Sequence, residues 1–166
     1  MANYLILFYT KSGNTKKMAN AIYEGVKNTG LDASDFNLDL YNISDNNIAV
    51  HELESYDCII VGAPIHYGKL ASPMNDFLED SLENNISLED KIGGCFTSYG
   101  VDIQGAELAI LSLVQLFLEQ GMIVPGINKE GAFGQIIAGA PDDEILFKCR
   151  EYGQKITHLT KSISTY

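Results

Sequence analysis

Thr10-Lys11-Ser12-Gly13-Asn14-Thr15 separates an apolar run, Leu5-Ile6-Leu7-Phe8, from a helical pattern that begins at once. A strand, a tight turn and a helix N-terminus in that order form an anion site. The first helical N–H groups are free there, and the macrodipole favours negative charge. Thr10, Ser12 and Thr15 add hydroxyls, and Asn14 adds an amide. Gly13 admits backbone angles that other residues avoid. The stretch lacks the G-x-G-x-x-G of dinucleotide sites, and no second Gly is followed by Lys and Ser/Thr as in nucleoside-triphosphate loops. The ligand it suits is a phosphate monoester.

With 166 residues, the chain is expected to form one domain, 1–166, with a sizeable core. Its composition, 46% hydrophobic and 20% charged, is that of a globular protein. The longest apolar-rich stretch, Ala106 to Leu118, is interrupted by Glu107, Ser112 and Gln115, so no membrane span is expected. The N-terminus runs straight into a strand without a basic segment or a small-residue cleavage site, which predicts a cytoplasmic protein. Cys58, Cys95 and Cys149 lie in or beside apolar segments and read as buried thiols, not as disulfides or metal ligands. A net charge of −11, with 11 basic residues scattered among 22 acidic ones, argues against nucleic acid. An acidic surface suits docking to basic partners by long-range steering.

Strands and helices alternate along the chain without repeats or linkers. Tyr4 to Tyr9 is nearly all apolar, as in a strand covered on both faces. The first helix is expected over Asn14 to Asn28, with the stripe Met18, Ala19, Ile22, Val26. Phe36, Leu38 and Leu40 alternate with Asn37, Asp39 and Tyr41, which predicts a strand at a sheet edge. Cys58 to Gly62 is a third, doubly buried strand, and Ala63 to Lys69 reads as loop from its Pro and Gly. A helix follows from Ser72, then a fourth strand over Lys91 to Thr97 and a long helix over Gln104 to Gln120. Met122-Ile123-Val124 begins a fifth strand, Pro125 to Gly134 interrupts it, and Gln135 to Ala138 resumes it. A last helix opens near Pro141. The pattern is that of a doubly wound α/β domain. The long helix carries more apolar residues than one core face needs, which predicts a homodimer or larger assembly.

From Ile6 to Ile22 the chain reads I-L-F-Y-T-K-S-G-N-T-K-K-M-A-N-A-I, which resembles the flavodoxin phosphate loop position by position. Gly62 to Pro73 resembles the flavin loop of WrbA-type flavoproteins, NAD(P)H:quinone oxidoreductases built on the flavodoxin fold. Phe96-Thr97-Ser98-Tyr99-Gly100 resembles the third flavin loop of flavodoxins, and Gln120 to Pro125 resembles the WrbA stretch entering strand five. The resemblance implies a five-stranded parallel sheet in the order 2-1-3-4-5. In that order the ligand sits beyond the carboxyl ends of strands one and three. It also implies FMN. Thr10, Lys11, Ser12, Gly13, Asn14 and Thr15 would hold the phosphate. Pro64, Ile65, His66, Tyr67 and Gly68 would line one side of the isoalloxazine, and Thr97, Ser98, Tyr99, Gly100, Val101 and Asp102 the other. Tyr67 and Tyr99 are the candidates for ring contact.

Two departures bear on function. Glu119-Gln120 stands where WrbA-type enzymes carry a His-His pair, one of which reaches the flavin site. Val101 stands where the flavodoxin loop often carries Trp. Gln120 donates a neutral hydrogen bond but delivers no proton, which predicts weak quinone reduction and electron transfer with redox partner proteins. His66 and the WrbA-like second loop point the other way, to a reductase using NAD(P)H. The sequence assigns no catalytic residue and no metal.

Overall fold

The computed structural model describes residues 1–30, 32, 34–45, 48–100, 105–126 and 134–163. Strand β1, Ala2–Phe8, is buried from Tyr4 onward and forms the centre of the sheet. It pairs in parallel with β2, Phe36–Asn42, on one side and with β3, Cys58–Gly62, on the other. No residue of β2 is fully buried, which fits its place at the edge.

Between β3 and the next helix the chain makes a miniature hairpin, β4 (Ile65–His66) and β5 (Lys69–Leu70). The expected loop therefore has internal pairing, too short to show as a period in the sequence. Its turn residues both have positive φ, Tyr67 at 53° and Gly68 at 72°. That geometry matches the right-handed twist of the paired strands. Helix α2, Ser72–Glu83, follows, with Pro73 in its first turn. Strand β6, Ile92–Tyr99, then pairs in parallel with β3 and runs two residues beyond the expected Thr97.

Helix α3, Ala106–Glu119, returns the chain to the start of β6, where Ile123 makes one bridge to Ile92. The first half of the expected fifth strand is no more than this bridge. Strand β7, Gln135–Ala138, pairs in parallel with the upper part of β6. The expected interruption falls largely on residues outside those described. Helix α4, Asp143–Ile163, closes the fold, and the Asp142 carboxylate accepts a hydrogen bond from the Ile145 N–H at 2.9 Å to cap it. The long parallel strands thus stand in the expected order 2-1-3-4-5, and the hairpin joins the upper end of β6 through the pair Ile65 and Tyr99.

Alternate residues of the sheet feed two cores. Tyr4, Ile6, Ile60 and Phe96 pack against α1 (Asn14–Lys27) and α4. Leu5, Leu7, Ile59 and Val61 pack against α2 and α3. Helices α1 and α4 meet almost backbone to backbone. A Cβ on Gly25 would collide with the Arg150 carbonyl, and one on Gly153 with the Ile22 carbonyl.

Candidate functional site

The turn between β1 and α1 folds as its residues dictate. Gly13 adopts φ 92° with open space beside it, so the left-handed backbone, not crowding, requires glycine. Its N–H donates to Thr10 Oγ1 at 3.1 Å, which closes the turn. No side chain caps α1, and its first turn holds no acid. Its first N–H groups have no intrahelical acceptor and are available to an anion. Lys11 and Ser12 are exposed beside them.

Thr15 is 1% exposed, and its Oγ1 lies 3.0 Å from Oγ of Ser98, itself 4% exposed. This contact ties the first turn of α1 to the upper end of β6. Asn14 Nδ2 donates to the Gly139 carbonyl at 3.2 Å, and the Gly139 N–H donates to the Tyr99 carbonyl at 2.7 Å. Gly139, in the turn after β7, therefore belongs to the same cluster. Sequence reasoning missed it, although Ala138-Gly139-Ala140-Pro141 has the composition of a turn beyond a strand end.

The second loop is anchored from below. Thr97 is fully buried, and its Oγ1 donates to the Ala63 carbonyl. Pro64 and Ile65 are buried, His66 is half-buried, and Tyr67 is 97% exposed at the hairpin tip. Tyr99 is half-buried beside Ile65, and Gly100 is exposed. Val101 and Asp102 lie outside the described residues. The other residues expected at the site all stand at the carboxyl ends of β1, β3 and β6 or on the hairpin between them.

Residues 5–106 match the family model described as a flavodoxin domain. The chain belongs to the flavodoxin family. Among solved flavodoxins, it is 26% identical to oxidised Flavodoxin 1 of Bacillus cereus, with TM-score 0.79 over 95% of this chain and 98% of that one. A flavodoxin from the domain Archaea is also 26% identical, with TM-score 0.73 over 96% and 99%. A WrbA-like flavodoxin from Agrobacterium tumefaciens, 21% identical, shares the fold at TM-score 0.76 over 98% and 99%. By sequence, it is 32% identical over 163 residues to an NAD(P)H dehydrogenase (quinone) of Rhodopseudomonas palustris strain HaA2, covering 85% of this chain and 80% of the relative. The enzyme of the same description from Azorhizobium caulinodans is likewise 32% identical, with the same coverage.

Gln120 does not belong to this flavodoxin's candidate site. It follows the last turn of α3, at the end of the sheet where β6 starts, while the loops stand where β6 finishes. Its Nε2 donates to Ser81 Oγ on α2 at 2.9 Å, and its Oε1 is buried without a partner among the described residues. The argument that Gln120 weakens quinone reduction therefore fails within one chain. A helix that joins two parallel strands must end at the edge where the second strand begins.

The three cysteines are free and buried, as expected. Burial pushes the thiols of Cys58 and Cys149 up from 9.0 to about 12, and raises that of Cys95 further. They are neutral packing groups, not thiolate nucleophiles. Among the described residues no helix is long and apolar enough to cross a membrane.

Proposed function

We propose that this flavodoxin binds FMN non-covalently and reduces quinone-like acceptors with electrons from NAD(P)H. The observation that carries the reading is the uncapped N-terminus of α1, closed by the Thr10–Gly13 hydrogen bond. The donors present fit a phosphate monoester: free helical N–H groups and the hydroxyls of Thr10, Ser12 and Thr15, with Lys11 at the rim. The turn has no second phosphate-binding half, which favours FMN over FAD.

FMN, when bound, supplies the hydride and electron chemistry, and the chain's part is to bind and tune it. Thr10 to Thr15 would hold the phosphate. Pro64 to Gly68 and Thr97 to Gly100 would flank the ring, with Tyr67 and Tyr99 as the candidates for aromatic contact. Thr97 and Pro64 position these segments by hydrogen bonds below them, the Pro64 carbonyl accepting from the Ala71 N–H at 3.0 Å. His66, half-buried on the hairpin, is the group able to hold or give a proton beside the ring.

The relatives described as NAD(P)H dehydrogenases (quinone) support the reductase reading. A second reading, a one-electron carrier for redox partner proteins, is supported by the net charge of −11. Negative charge near a flavin opposes formation of its anionic reduced form and lowers its potential. Purified protein should carry FMN, and NADH or NADPH should bleach its visible absorption. Steady-state turnover of a benzoquinone near the usual enzyme median of roughly 10 s⁻¹ is expected. No bleaching by either nucleotide, with rapid exchange with a reduced one-electron protein, would establish the carrier instead.

A further inference from the structure

A cleft of about 810 Å³ lies beside the flavin-site loops, between the β4–β5 hairpin, α2 and α3. Its hairpin wall runs from His66 to Leu70, so it opens off the segment assigned to one side of the ring. The volume falls within the range of roughly 300–1,000 Å³ usual for small-ligand sites.

The lining is chemically selective. Although the chain carries 22 acidic residues, no carboxylate among the described residues lines the cleft. Among the described lining residues the one ammonium is that of Lys69, exposed on the hairpin, with the half-buried His66 imidazole nearby in the chain. Leu78 on α2 and Leu113 and Leu116 on α3 supply an apolar floor. Ser112 on α3 lines the cleft as well, and its hydroxyl is already committed to the Leu108 carbonyl at 3.1 Å. A fitting ligand has an anionic part for Lys69 and a flat, weakly polar part for the leucines, and it reaches toward the flavin loops.

We propose that this cleft holds the adenosine diphosphate half of a pyridine nucleotide, whose nicotinamide end passes His66 and Tyr67 to reach the flavin. The adenine lies on the leucine floor and the phosphates lie toward Lys69. In an acidic chain, a cleft whose described lining carries no carboxylate lacks the close repulsion that would otherwise exclude a polyanion. The inference rests on the reductase reading, and the two are separable by experiment.

Titration calorimetry of the full flavin-loaded chain with ADP and with 2′,5′-ADP reads the cleft without turnover. Lys69→Glu should weaken binding at least tenfold, and Ser112→Trp, which fills the cleft from α3, should abolish it. FMN affinity and reduction by dithionite should be unchanged in both variants. In turnover, Lys69→Glu should raise KM for the nucleotide while kcat at saturation is retained. Reduction of the wild type by NADPH, with both variants unaffected, would overturn the cleft assignment and leave the reductase reading standing. Binding of ADP that both variants impair, without reduction by either nucleotide, would overturn the reductase reading and the proposed path to the flavin. Neither binding nor reduction in the wild type would overturn both.

Discussion

Replacing Thr15 by Val tests the phosphate site and its coupling to β6 together. Thr15 Oγ1 stands 3.0 Å from Ser98 Oγ, with both residues buried. With FMN present, the ordering that satisfies every group is Ser98 donating to Thr15 and Thr15 donating to the phosphate. A hydrogen bond to a charged group is worth about 1.5–3 kcal/mol. At about 1.4 kcal/mol per decade, Thr15→Val should weaken FMN binding by roughly one to two decades. Riboflavin, which lacks the phosphate, should bind nearly as before. The substitution also strands the Ser98 hydroxyl, and a buried unpaired group costs about 1–3 kcal/mol of stability. Adding Ser98→Ala removes the stranded partner, so the double variant should recover thermal stability relative to Thr15→Val but not FMN affinity. Ser98→Ala alone leaves the Thr15 hydroxyl free for the phosphate and should cost less than tenfold. Quenching of flavin fluorescence on titrating apoprotein gives both affinities, and thermal melts of the apoproteins give the stabilities. Equal losses for FMN and riboflavin would refute the assignment of this turn to the phosphate.

Gly153→Ala drives a methyl group into the Ile22 carbonyl between α1 and α4. Overpacking of this kind costs about 1–3 kcal/mol, a fall of roughly 2–12 °C in Tm for a chain of this size; an unchanged melt would contradict the close helix contact. Unfolded, the Cys58 and Cys149 thiols ionise near 9.0, whereas in the fold burial holds them neutral to about 12. Their stability contribution is therefore full below pH 9 and lost as pH rises from 9 toward 12, by about 1.4 kcal/mol per pH unit per thiol. Urea midpoints should fall across that window, and less steeply in Cys149→Ala; a flat profile would refute the account. Leu108, Leu111 and Leu118 stand 67%, 39% and 57% exposed on α3, away from its core stripe. Self-association through this face is expected, with Leu118→Glu monomeric, and light scattering that finds the wild type at 18.2 kDa in micromolar solution would refute it.

Sequence patterning exposes those parts of this flavodoxin whose information is local. The unbroken apolar run of β1, the alternation in β2 and the turn from Thr10 to Thr15 each lie within a few residues. Their places in the sheet follow from burial on two faces or one. The contacts that complete the site are different in kind. Thr15 meets Ser98 and Asn14 meets Gly139 only because β1, β6 and β7 finish at the same edge. No short-range period announces them. The β4–β5 hairpin, with two residues per strand, is too short to alternate visibly. Gln120 was legible in principle, since the direction of a crossover helix fixes which edge its last turn faces. Likeness in sequence around it hid that constraint.

The contact of Gly25 with α4 bears on when the turn before α1 becomes fixed. Helix α1 and the turn before it are synthesised well before the helix that clasps α1, which lies far downstream of them. Closing so long a loop costs entropy before the contact repays it. A nascent chain that stops short of α4 presents the whole Thr10–Thr15 turn in sequence but leaves its helix unbraced. A settled Thr10–Thr15 turn is thus a property of the finished fold and follows, rather than guides, synthesis of its first half.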